Sequence, residues 1–200
     1  MNKYLQNSKY IDFDNPEITR KSEQLANGAL NEHDLIRLCF EFVRDEIKHS
    51  WDYKKNPVTC RASEVLHYGT GYCYAKSHLL AALLRKNGIP TGLCYQRLSV
   101  NDQGPPYCLH GLNAVCLQDY GWYRIDARGN KPGVDAKFTP PGESLAFPIH
   151  DKEERDLPEI WPEPHPEVIR VLEKYHDVRL VFENLPDIPL LGNQSFLRIA

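Results

Sequence analysis

Residues 68–90 constrain this chain more than any other stretch, because they are punctuated at both ends. Tyr68-Gly69-Thr70-Gly71-Tyr72 runs from two glycines straight into an amphipathic helix pattern that begins at Cys73, and Asn87-Gly88-Ile89-Pro90 is a stop signal at its far end. A thiol therefore stands in the first turn of a helix. There the unpaired N–H groups and the positive end of the dipole favour thiolate over thiol, and catalytic cysteines so placed have pKa values of roughly 3.5–7.5. Cys73 is the candidate nucleophile; the plainer role open to it is that of a small buried hydrophobe.

A His and an Asp follow in the order that activated-thiol chemistry needs. Leu109-His110-Gly111-Leu112-Asn113-Ala114-Val115-Cys116-Leu117 and Trp122-Tyr123-Arg124-Ile125-Asp126 are rich in strand formers, and Gln118-Asp119-Tyr120-Gly121 between them carries turn chemistry. They read as a hairpin. A turn centred on Gln118 sets His110 opposite Asp126 on one face, where directly opposed Cβ atoms lie about 4.5–5.5 Å apart. A turn shifted by a residue or two would change that register, and Asn130 and Asp135 stand as alternative third members.

The blocks Gly69-x-Gly71-x-Cys73, Ser77 to Pro90, His110-Gly111 and Gly121-Trp122-Tyr123-Arg124-Ile125-Asp126 together resemble the core of the transglutaminase-like superfamily, a member of the papain-like group, over roughly residues 33–130. Cys94-Tyr95-Gln96-Arg97-Leu98 and Asp126-Ala127-Arg128-Gly129-Asn130-Lys131 resemble a small bacterial branch of it. The resemblance implies an α+β fold in which helices pack on a small antiparallel sheet and the nucleophile opens a central helix. It maps the thiol nucleophile to Cys73, the general base to His110 and the orienting carboxylate to Asp126. In transglutaminases an upstream tryptophan lends its indole N–H to the oxyanion hole, which makes Trp51 a candidate donor beside the backbone N–H of Cys73; core packing accounts for a Trp at 51 equally well.

The chemistry so implied is acyl transfer on a carboxamide or peptide bond of a peptide or protein through a Cys73 thioester, with no cofactor. Water as acceptor makes a cysteine peptidase, amidase or deamidase, and an amine makes a transglutaminase. Hydrolysis is expected, because the additional domains and calcium elements of the animal crosslinking enzymes are missing from these residues. A non-catalytic interaction module is the competing class, and the presence of all three triad residue types argues against it.

Composition supports one compact enzyme domain over residues 1–200: 42% of the residues are hydrophobic, enough for a sizeable core. A formal net charge of -3 leaves no electrostatic footprint for nucleic acid or an acidic membrane. No apolar run reaches membrane-spanning length, and Met1-Asn2-Lys3-Tyr4-Leu5-Gln6 has no secretory character, so a cytoplasmic location is expected. In that reducing compartment the six cysteines are expected to be mostly free thiols. No metal site is expected, since Cys94, Cys108 and His110 include no Cys-x-x-Cys pair and have no second His at a ligand spacing. His78 is five residues after Cys73, a rotation of about 140° that turns it away from the thiol. Lys76 is a helical neighbour of Cys73, read as solvent-exposed or as a support for the thiolate. The mixed run Asp151 to Asp156 reads as a solvated face, and the sequon Asn193-Gln194-Ser195 has meaning only with secretion.

The remaining organisation follows from caps and periods. Asn15-Pro16-Glu17 opens a helix that Gly28 closes; Asn31-Glu32-His33-Asp34 opens a second, with Leu35, Leu38, Cys39, Phe42, Val43 and Ile47 as its inward face. Thr59 to His67 is a short helix and Thr91 to Val100 a strand, followed by a loop over Asn101 to Pro106 that overhangs the site. Residues 129–166, rich in proline, read as an extended wrap. A helix from Pro166 carries Val168, Ile169, Leu172 and Tyr175 inward, and the prolines of the tail from Val178 argue against another long helix.

Overall fold

The computed structural model describes residues 1–188, so the Asn193 sequon lies outside the described residues. A 3-10 turn over Asn2–Leu5 precedes α1 (Pro16–Asn27), α2 (Glu32–Glu41), a π-helical turn over Phe42–Glu46, β1 (Lys48–His49), α3 (Ser50–Tyr53), α4 (Ala62–Tyr68), β2 (Thr70–Gly71) and α5 (Cys73–Lys86). Three long strands follow, β3 (Thr91–Ser99), β4 (Tyr107–Leu117) and β5 (Gly121–Ile125). The wrap contributes β6 (Lys137–Thr139), β7 (Gly142–Ser144) and β8 (Arg155–Asp156), and the chain continues through α6 (Pro166–Lys174) and α7 (Val178–Glu183). The architecture is α+β: helices pack on an antiparallel sheet of order β5-β4-β3-β8.

The helix starts obey capping chemistry. The Asn15 side chain accepts from the Glu17 N–H at 2.9 Å with Pro16 behind it, and the Asn31 side chain accepts from the Asp34 N–H at 2.9 Å. The inward face of α2 is rotated from the sequence reading. Ile36, Cys39, Phe40 and Val43 are buried, while Leu35 and Leu38 are only half-buried. The π-helical turn that follows resets the helical phase, so a 3.6-residue period projected from Leu35 through Ile47 mixes two faces.

The helix α5 is the centre of the molecule. It reads as amphipathic in sequence, yet every residue from Cys73 to Arg85 is buried. Its polar side chains are tolerated because they meet backbone carbonyls: the charged and histidine side chains reach those of surrounding segments, and Ser77 reaches one within the helix. Arg85 donates to Thr91, Gln6 and Pro162 at 2.9, 2.9 and 2.6 Å; His78 Nδ1 meets the Cys60 carbonyl at 2.7 Å; Ser77 Oγ donates to Cys73 at 2.8 Å. His78 is thus a core histidine, and burial pushes its pKa down to about 4.

Lys76 corrects the sequence reading. It is fully buried and not solvent-exposed: its amino group donates to the carbonyls of Ile47 at 2.5 Å and Arg44 at 3.3 Å, tying α5 to the segment that enters β1. The run from Asp151 also departs from a purely solvated face. Glu154 is buried and accepts from the amides of Ser99, His150 and Asp151 at 2.9, 2.7 and 3.1 Å. The wrap itself is more than a covering, because β8 extends the main sheet beyond β3. Among the described residues no helix is long and apolar enough to cross a membrane.

Burial, followed by the charge of Arg128, pushes the Lys76 pKa down to about 7, against the pull of Asp126 and Asp45. An unfolded lysine holds its proton to about 10.4, so between the two values the unfolded chain binds more protons and stability rises with pH. The stability of wild type relative to Lys76→Met should therefore increase from pH 7 to pH 10 by on the order of 1 kcal/mol per pH unit, measured by urea unfolding. A difference constant with pH would contradict this.

Candidate active site

The thiol is placed by a short run of backbone constraints. Gly69 ends α4 at φ 62, a left-handed conformation that favours glycine, and the chain reverses into β2. There Thr70 and Gly71 pair in parallel with Lys48 and His49. Tyr72 then caps α5, its carbonyl accepting from the Lys76 N–H at 2.9 Å, and Cys73 is the first helical residue. Its own N–H is among the donors with no intrahelical partner.

The strand β4 approaches this helix start at Gly111, where close packing requires glycine: an added Cβ would lie 2.9 Å from Tyr74 Cδ1 and 3.0 Å from Tyr74 Cα. The approach brings the Gly111 N–H to 3.4 Å from Cys73 Sγ and lets the Tyr74 hydroxyl donate to the Leu109 carbonyl. One residue earlier, His110 Nε2 lies 2.7 Å from Asp126 Oδ2. The hydrogen bond expected from sequence is present, but the register behind it is different. Asn113 pairs with Ile125 and Leu117 with Gly121, so the turn is centred on Asp119, one residue later than Gln118. Moving the centre by one shifts each partner by two, which preserves the face each side chain occupies. Asp126 therefore lies just beyond the end of β5, diagonal to His110 and not directly opposite it.

Asp126 is fully buried and its carboxylate takes three hydrogen bonds, accepting also from the amides of Arg128 and Ala146 at 3.1 Å each. Burial alone would raise its pKa; the charge of His110, the hydrogen bond to it and the two amides hold it below the ordinary range. For His110 burial opposes protonation, but the charges of Asp126 and Cys73 and the hydrogen bonds to both raise its pKa to about 10. The geometry thus favours an imidazolium facing the thiol group, with Nε2 committed to Asp126 and Nδ1 left for sulfur. Asn130 and Asp135 are elsewhere: Asn130 pins its own loop through Ala136 and meets Asp135 at 3.4 Å.

Cys73 and His110 open on a cleft of about 510 Å³. Trp51 lines it, stacked on Phe182 of α7 with ring centroids 3.6 Å apart. The sequence reading missed three contributors. His49 lines the cleft from β1, a strand too short to show any period. Arg128 is held by two hydrogen bonds to Asp52, at 2.6 and 3.0 Å, and Lys131 reaches the same carboxylate at 2.9 Å. The segment after α6 is the third: Tyr72 donates to the Val178 carbonyl at 2.6 Å, and the Leu109 N–H donates to the Pro186 carbonyl at 2.7 Å, so Phe182 and Leu185 form a cleft wall. All six cysteines are unpaired, and among the described residues no three His, Cys, Asp or Glu side chains gather as a metal site.

The family model of the transglutaminase-like superfamily matches residues 19–127. No curated protein matches the sequence. Among solved structures, a candidate cysteine protease from Cytophaga hutchinsonii is similar at TM-score 0.50 and 16% identity, over 62% of this chain and 40% of that one. The periplasmic domain of TgpA from Pseudomonas aeruginosa is similar at TM-score 0.45 and 16% identity, over 62% and 45% of the two chains. The matched regions span less than half the length of these neighbours.

The thiols differ in their surroundings. Burial pushes Cys39, Cys60, Cys94 and Cys108 up to about 12, whereas Cys73 faces His110 in the cleft. Iodoacetamide at pH 7 should alkylate Cys73 more than about 100-fold faster than those four, read by peptide mass mapping. Equal labelling across the folded protein, or Cys108 leading, would remove Cys73 from the nucleophile position.

Proposed function

This chain belongs to the transglutaminase-like superfamily, and from that premise we propose that it catalyses thiol-dependent acyl transfer on a carboxamide or peptide bond, with water as the acyl acceptor. The observation that carries the reading is a helix-start thiol and a histidine lining one cleft, with a fully buried carboxylate 2.7 Å behind that histidine.

In this reading the Cys73 thiolate attacks the carbonyl carbon, and the developing oxyanion is met by the backbone N–H of Cys73, with Trp51 as the second candidate donor. His110 gives its proton to the departing nitrogen as the C–N bond breaks, leaving a thioester on Cys73. Water then attacks the thioester, His110 takes the water proton, and the thiolate and imidazolium are restored as the acid leaves. Asp126 stays ionised throughout and holds the imidazole in the tautomer that presents Nδ1 to sulfur. The cleft reaches the surface between the exposed Asp102, Lys131 and Gly133, which gives water access to the thioester.

Incubating the reduced protein with a glutaminyl peptide library, with and without a primary amine, tests the reading by mass spectrometry. Hydrolysed products that do not change when the amine is added are expected, and none with Cys73→Ala. Amine-coupled products would make the chain a transamidase, and the absence of any thioester or product would make it an interaction module. Asp126→Asn, near-isosteric, should fold and lower turnover by roughly 10²–10⁴-fold through the wrong tautomer, while Asn130→Ala should do far less.

A further inference from the structure

A second buried histidine, His49, lines the cleft with His110, and the proposed reaction leaves it idle. His49 is 7% exposed and is held by the pairing of β1 with β2, opposite Gly71 and two residues from the nucleophile in that register. Its ring packs edge-on against Tyr72, with centroids 5.5 Å apart. Its Nδ1 is buried without a hydrogen-bond partner and faces Asp52 Oδ2 at 3.6 Å, too far for a bond but near enough for the carboxylate to favour a proton on that nitrogen. The ring lines the catalytic cleft, so Nε2 is the nitrogen left to meet a substrate.

Resting on the acyl-transfer reading, we propose that His49 is a substrate-positioning residue whose Nε2 accepts a hydrogen bond from the N–H of the scissile amide. The role needs a ring that stays neutral, and the charges around His49 provide for that. Burial and then Arg128 hold its pKa well below the usual histidine range, with Lys76 and His110 acting in the same sense and Asp52 alone opposing. The two buried histidines of the cleft thus divide the work by environment: His110 is charged beside Asp126 and donates, while His49 is neutral and accepts. An acceptor aimed at the amide N–H fixes the nitrogen so that its lone pair turns toward the His110 proton as the C–N bond breaks. It also confers a chemical preference, because an ester has no hydrogen to offer at that position.

The experiment compares an amide and an ester of the same acyl group as substrates of wild type, His49→Leu and His49→Gln. His49→Leu should lower kcat/KM for the amide by roughly 10–100-fold and leave the ester within about twofold, and His49→Gln, which retains an acceptor oxygen, should recover part of the amide rate. The rate of Cys73 alkylation should not change, which separates a positioning role from damage to the nucleophile. Equal losses on amide and ester, or a slowed alkylation, would overturn the assignment and give His49 a structural role. If wild type acylates from neither substrate while Cys73 remains reactive, the acyl-transfer reading itself fails and this inference falls with it.

Discussion

The hydrogen bond between His110 and Asp126 is the constraint around which the rest of the molecule is arranged. A carboxylate with no exposed surface is costly unless it is hydrogen-bonded, and here three donors converge on it from three parts of the chain: His110 on β4, Arg128 just after the carboxylate, and Ala146 in the wrap. Breaking such a buried pair by removing one partner typically costs about 3–5 kcal/mol, and the carboxylate that sets the histidine's charge also binds the wrap through the Ala146 amide. Stability and chemistry meet at one oxygen pair. The extended region after β5 is tied to the rest of the molecule there, by the contacts of Gly142 and Glu143 with Tyr123 and Arg124, and by its addition of β8 to the sheet.

Precision at the thiol comes from the burial of α5. A helix enclosed on all sides cannot tilt without disturbing several partners at once, and its lysine, histidine and arginine are each anchored to carbonyls of flanking segments. Lys76 is the most consequential of these. It stands one turn after Cys73 and holds the Ile47 carbonyl, immediately before the strand that carries His49. The helix that presents the nucleophile therefore also sets the position of the second histidine. Gly111 completes the arrangement from the sheet side, since only a residue without Cβ lets β4 come within reach of the helix start.

What could be read in the sequence was whatever local rules determine. Asn15 and Asn31 mark helix starts because short polar side chains cap free amides, and Gly69 and Gly71 mark the approach to Cys73 because tight turns need glycine. The pairing of His110 with Asp126 was reached through a turn centre that was off by one, and it survived because a shift of two residues keeps a strand's face. Tertiary features were not legible. Lys76 looks like a surface residue until the carbonyls of Arg44, in the π-helical turn, and Ile47, just after it, are seen to meet it, and the half-buried Leu35 looks central to the inward face until that turn resets the phase. His49 lies in a two-residue strand, below the length at which any period exists. The cleft wall of Phe182 and Leu185 depends on a return of the chain from more than a hundred residues away.

The central claim is that the buried Asp126 keeps His110 protonated in the resting protein. Nitrogen-detected NMR of the histidine rings, with His110 assigned by its loss in His110→Gln, measures this directly. The account predicts a His110 ring with protons on both nitrogens through neutral pH, titrating only near 10, and a much lower titration in Asp126→Asn. A His110 that is neutral at pH 7 and titrates near 6.5 with Asp126 intact would contradict it.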